Sequence, residues 1–206
     1  MLHRFITRLL LRTAALDDPW ARFAHAVPLH RYGLGARRDF RWYFEGESAI
    51  PVTSLAEVQD WLLGCAYVRD PDLFQTADFW QHPLTFEQLR RGDCEDFTLW
   101  AWRKLVRLGY DAEFVAGHAA QPGACPGGHT WILLRDGGGE PRLFDPVLRR
   151  RALMIRPLEA VRYEYVPEVS VDRRFARYAY AGYLLRRHGN PRAVLTRPAP
   201  APAPLA

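Results

Sequence analysis

The chain is 206 residues long, 49% hydrophobic and 13% aromatic, with a formal net charge of +5. That supply of apolar side chains suffices for one buried core with extensions and excludes a disordered polypeptide. The charge is almost wholly arginine, since Lys104 is the only lysine, and the one tight basic run is Arg149-Arg150-Arg151, so solvated arginines and ion pairs explain it better than a nucleic-acid surface.

From Leu2 to Leu16, apolar residues at Leu2, Phe5, Leu9 and Leu16 recur at helical spacing, with Arg4, Arg8 and Arg12 as a basic stripe. A first helix packed on the domain is expected, its stripe being where an acidic partner or a membrane surface would bind. Arg8 and Arg12 break the apolar run, so neither an export signal nor a membrane span is predicted, and the expected location is the cytoplasm. Trp20 to Tyr32 reads as a second short helix and Phe40 to Phe44 as a strand or aromatic-rich loop. Ser54-Leu55-Ala56-Glu57 is a capping-box pattern opening a helix with Leu55, Val58, Trp61, Leu62 and Cys65 on its apolar face, which makes Cys65 a buried structural thiol. After an irregular stretch ending at Pro83, Thr85 and Gln88 mark a short helix to Leu89.

Gly92 resets the chain, and the main helix is predicted from Cys94 to Leu108, buried through Phe97, Ala101, Leu105 and Leu108 and stopped by Gly109. Beyond it the period is two: Ala112 to Ala119, His129 to Arg135 and Arg142 to Phe144 read as strands, the last two joined by Asp136-Gly137-Gly138-Gly139. Val161 to Val166 reads as a further strand, Asp172 to Arg187 as a helix capped by Asp172, and Pro198 to Pro204 as part of an extended tail. The expected organisation is a helical extension over 1–53, an α+β catalytic domain over 54–190 and a disordered Pro/Ala tail over 191–206.

The stretch with chemical content is Gly92-Asp93-Cys94-Glu95-Asp96. A cysteine at a helix N-terminus meets unpaired N–H groups and the positive end of the dipole, both of which favour a thiolate. His129, before Thr130-Trp131, supplies an imidazole at a strand edge, and Asp145, in Phe144-Asp145-Pro146, a carboxylate to fix its tautomer. The pattern is a nucleophile, a base and an orienting acid, with the Cys94 N–H as part of an oxyanion hole. Asp93 and Glu95 oppose it, since negative charge beside a thiol disfavours the thiolate. Three readings are open for this pair: helix capping, ion pairing with Arg90 or Arg91, and calcium ligation. Capping is preferred, because the local sequence offers few oxygens beyond these carboxylates. His118 and Cys125 lack metal-type spacing, so zinc is not expected, and no cofactor is required. Trp80, Gln81 and Trp131 are candidates for lining the acyl pocket, and the glycine-rich stretch before His129 reads as a loop that could gate the cleft.

Taken together, Tyr67-x-x-Asp70, Trp80-Gln81-His82-Pro83, Gly92-Asp93-Cys94-Glu95-Asp96, His129-Thr130-Trp131 and Phe144-Asp145-Pro146 resemble the transglutaminase-like superfamily, in particular its bacterial cysteine proteases, over about residues 54–146. The resemblance implies a papain-like fold, a Cys94-His129-Asp145 triad and a peptide or protein substrate. It also implies calcium at Asp93 and Glu95, as some periplasmic members bind it beside the active site. The reading is a thiol acyl-transfer enzyme with a thioester intermediate. The alternatives are a protein-crosslinking transglutaminase that uses amine acceptors and a non-catalytic scaffold that binds a peptide or partner.

Overall fold

The change of hydrophobic period at Gly109, from helical before it to alternating after it, becomes a helical layer packed against an antiparallel sheet. The computed structural model describes residues 18–24, 26–120, 128–135 and 139–188. Strand β1 (Arg22–Ala24) leads through 3-10 turns at Leu29–Arg31 and Trp42–Phe44 to α1 (Leu55–Leu63), β2 (Ala66–Tyr67), α2 (Asp70–Leu73), α3 (Pro83–Leu89), β3 (Arg91–Gly92) and the long helix α4 (Cys94–Arg107). There follow β4 (Ala112–Ala119), β5 (His129–Leu134), β6 (Arg142–Phe144), α5 (Arg151–Met154), β7 (Ile155–Pro157), α6 (Leu158–Val161), β8 (Tyr165–Val171), β9 (Arg177–Tyr180) and α7 (Ala181–His188). Among the described residues the main sheet runs β1-β9-β8-β4-β5-β6-β7 with every neighbouring pair antiparallel, and β2 and β3 make a short parallel pair beside it. The fold is α+β, with α4 lying on β4 and β5.

Both faces of the central strands are covered, which is why His129 to Leu134 is buried at every position. Ala112, Phe114, Ala116, Ile132 and Leu134 face the core that contains α4, whereas Val115, Trp131 and Leu133 face a second core with Trp20, Tyr165 and Tyr180. This is the strand period of two, read on two apolar sides. Helix α4 is buried around its whole circumference from Cys94 to Leu105, as a central helix must be.

Burial forces the polar groups of α4 to find partners. Arg103 donates to the carbonyls of Tyr43 at 3.1 Å and Glu45 at 2.9 Å, and Lys104 pairs with Glu87 at 3.1 Å and donates to the Ile50 carbonyl at 2.6 Å. Glu87 also accepts from the Trp100 indole at 2.9 Å and the Ala49 N–H at 3.1 Å. These bonds fasten the irregular 43–50 segment to the helix that carries Cys94. The only lysine of the chain is thus an internal strut.

Several local expectations are corrected. Trp20 to Tyr32 is not a helix: β1 pairs with β9 as a sheet edge, and only Leu29–Arg31 turns helically. Phe40, just before a 3-10 turn, and Tyr43, within it, are core residues. α3 starts before Thr85, because His82 accepts the Leu84 N–H and Pro83 occupies the first turn. The expected strand at Val161 to Val166 lies later, as β8. Asp172 does not cap a helix; its carboxylate accepts the N–H groups of Arg174 and Ala176, both at 2.9 Å, in the turn between β8 and β9. An aspartate bonding to nearby N–H groups is common to caps and turns, so the local sequence does not distinguish the two. The expected helix over Leu2 to Leu16, Cys125 with its glycine-rich loop, most of the Asp136 to Gly139 turn and the tail over 191–206 lie outside the described residues. Among the described residues no helix is long and apolar enough to cross a membrane.

Replacing Lys104 with Met leaves the Glu87 carboxylate buried without its cation, and should lower unfolding stability by about 3 kcal/mol. Denaturant unfolding of the variant checks this. A midpoint equal to that of the wild type would show that the pair does not hold the 43–50 segment.

Candidate active site

Cys94 is the first residue of α4 and Asp93 its N-cap, with the Asp93 N–H donating to Asp96 Oδ2 at 3.2 Å, the return half of a capping box. Asp96 also accepts the Gln81 N–H at 2.8 Å, and the Gln81 amide donates to it and to the Arg91 carbonyl. Glycine is required at 92, because a Cβ there would collide with the Asp96 carboxylate and the Gln81 amide. The start of the helix is therefore rigidly built. Cys94 is 5% exposed, and its Sγ lies 3.0 Å from Glu95 Oε2, toward which the thiol donates.

On the sheet, His129 opens β5 opposite Gly117 of β4. A Cβ on Gly117 would strike the Val166 carbonyl and the Trp131 ring, so glycine lets the strands close tightly beside the imidazole. His129 Nε2 is 2.8 Å from Asp145 Oδ2. Asp145, just past β6 and 1% exposed, also accepts from the Tyr165 phenol at 2.8 Å and from the Val147 N–H at 3.2 Å.

A cleft of about 510 Å³ runs between the two layers and is lined by both Cys94 and His129, with Trp80, Asp70, Asp78, Asp93 and Glu95 from the helical side and Gly117, His118 and Glu168 from the sheet. Asp145 lies behind His129. Trp80 therefore meets the cleft, although it is largely a core side chain at 5% exposed. The other two residues expected at the acyl pocket do not line the cleft. Gln81 is committed to Asp96 and Arg91, and Trp131 is buried in the second core against Trp20 and Tyr165.

The cleft also contains what sequence spacing could not reveal. Asp70 and Asp78 fold back onto the start of α4, and carboxylate oxygens of Asp70, Asp78 and Glu95, and likewise of Asp70, Asp93 and Asp96, lie within 4.8 Å of one another. Asp93 caps α4 within a capping box as expected, and beside it stand oxygens that the local sequence does not offer, from Asp70 and Asp78, 15 or more positions upstream. Every carboxylate donor in the cluster is a hard oxygen, the type that suits calcium or magnesium, and Asp78 Oδ1 is buried without a hydrogen-bond donor among the described residues. Burial, reinforced by the charge of Asp93, holds the carboxyls of Glu95 and Asp96 well above the usual carboxylate range. These residues fit a cation: such a cluster needs either bound protons or a positive ion.

No family model matches the chain, and no curated protein does. Among solved structures, calcium-bound LapG of Legionella pneumophila is 22% identical with a TM-score of 0.46, covering 67% of this chain and 76% of that one. EGTA-treated LapG of the same organism is 21% identical with a TM-score of 0.45, over 64% and 69% respectively. Likeness at that level carries no argument about function.

The raised Glu95 and Asp96 carboxyls give a signed prediction. A carboxyl raised by folding contributes full stability below its unfolded value and loses it as pH rises through the folded one. In metal-free protein, Glu95→Gln should therefore gain melting temperature relative to the wild type as pH climbs from the ordinary carboxylate range toward neutrality, and the gap should close in acid. A gap that widened in acid would contradict the assignment.

Proposed function

We propose that the protein is a cysteine-dependent hydrolase of peptide or amide bonds in polypeptide substrates, transglutaminase-like in its Cys94-His129-Asp145 arrangement. One observation carries this reading: a helix-opening thiol and an imidazole line the same cleft, and a buried carboxylate is bonded to the Nε2 of that imidazole. The Asp145 bond keeps the proton on Nε2, which assigns proton exchange with the thiol to Nδ1.

In the proposed reaction Cys94 Sγ, its proton held by His129, attacks the carbonyl carbon, and the oxygen takes the electron pair beside the Cys94 N–H. The carbon–nitrogen bond then breaks and His129 gives its proton to the departing amine. His129 next removes a proton from water, the hydroxide adds to the thioester, and the acid leaves as Sγ recovers its electrons. Asp145 orients the imidazole throughout.

Asp70, Asp78, Asp93 and Glu95 are the residues that would hold calcium. Bound there, the ion supplies positive charge that offsets the carboxylates next to Cys94 and so favours the thiolate. Cys65 needs no such role: burial pushes its thiol up to about 11, so it stays inert.

A peptidyl electrophile followed by peptide mass mapping tests the proposal. Labelling should fall on Cys94, drop by about 10³-fold in His129→Ala, and weaken with EGTA in the wild type but not in a variant lacking Asp78 and Glu95. Equal labelling of Cys65 or Cys125, or labelling indifferent to His129, would remove the basis for the enzyme reading.

A further inference from the structure

The Asp145 carboxylate has more than one donor on the oxygen that serves His129. Oδ2 accepts from His129 Nε2 and from the Tyr165 phenol, each at 2.8 Å. The phenol cannot swing away: Tyr165 is fully buried at the start of β8, its ring meets Trp131 edge-on at 5.1 Å and lies 6.3 Å from the His129 ring. Behind it, Arg156 of β7 donates to the phenol oxygen at 3.4 Å while pairing with Glu164 at 3.1 Å. Burial and the Asp145 charge push the phenol upward in pKa, so Tyr165 remains a donor.

We infer that Tyr165 is a positioning residue which, backed by Arg156, sets the strength of the Asp145–His129 hydrogen bond and with it the pH range over which His129 stays protonated. The inference rests on the proposed triad, and the other titratable groups that share the cleft with His129, among them Cys94, Asp93 and Glu95 at the start of α4 with His118 of β4 and Glu168 of β8, are the same in every variant compared. A hydrogen bond spreads the charge of the oxygen that accepts it, so two donors on Oδ2 each feel less of that charge than one alone would. With the phenol removed, the imidazolium meets the full charge of Oδ2 and is held more firmly. The present pair of donors therefore keeps His129 able to release its proton to a leaving amine, which an over-stabilised imidazolium does poorly.

The test is the titration midpoint of His129, followed by NMR of its ring resonances in wild type, Tyr165→Phe, Asp145→Asn and the double variant, with His129→Ala for assignment. Tyr165→Phe keeps the buried ring and should raise the midpoint by about half to one pH unit. Added to Asp145→Asn it should have no effect, because the phenol acts through the carboxylate. Arg156→Gln, at a half-buried position, weakens the phenol as a donor and should shift the midpoint in the same direction. If Tyr165→Phe leaves or lowers the midpoint while Asp145→Asn lowers it, the Tyr165 inference is overturned and the triad stands. If Asp145→Asn itself changes nothing, the triad reading fails first.

Discussion

Carboxylates and a thiol buried together at the first turn of α4 are the constraint around which the rest of the chain is arranged. Each of these groups would be better solvated in water, and mutual repulsion adds to the cost of bringing them together. The structure answers with a dense set of donors: the Asp93 N–H, the Gln81 N–H and the Gln81 amide all serve Asp96, and Asp70 accepts the Phe79 N–H at 2.5 Å. Gly92 has no side chain because those contacts fill the space. Glu95 accepts from the Cys94 thiol, while Asp78 Oδ1 stays buried without a donor among the described residues.

The same logic orders the opposite wall. A strand with both faces buried can present an imidazole only at its end, and His129 is the first residue of β5. Asp145 is held from three directions, by Tyr165, by Val147 and through its own N–H to the Met154 carbonyl at 2.8 Å. The two walls meet at a cleft rather than a sealed core, so the thiol and imidazole can be reached although each is mostly covered. Lys104 and Arg103 extend the scheme away from the cleft, since their buried charges pin the 43–50 segment beneath the helix.

Part of this fold is legible in the sequence alone. The helix from Cys94 and strand β4 follow from apolar periodicity and a terminal glycine, and the expectation that Asp145 bonds His129, which the structure shows, follows from the chemistry that each residue type supplies. The approach of Asp70 and Asp78 to the start of α4, and of Tyr165 to Asp145, is not legible in the sequence. Asp70 stands beside a proline in a short helix, Asp78 in an irregular segment and Tyr165 at the start of a strand, each with an ordinary local explanation. Those contacts arise from long-range closure, which no spacing rule encodes. Gln81, expected at the acyl pocket, has its amide bonded to Asp96, a partner on another element that the sequence does not announce. The β8–β9 turn was misread for a related reason: Asp172 bonds to nearby N–H groups as a cap would, and only the sheet distinguishes the two.

The account stands on Cys94 being a nucleophile made reactive by His129. The rate of Cys94 alkylation by iodoacetamide against pH, read on the Cys94 peptide, measures this without knowledge of the substrate. A thiolate held by an imidazolium reacts well below the ordinary thiol pKa of about 8.5, so alkylation should already be fast near pH 6 in the presence of calcium and should lose that acid arm in His129→Ala. Alkylation that rises only near that ordinary pKa, and does so equally in both proteins, would contradict the account.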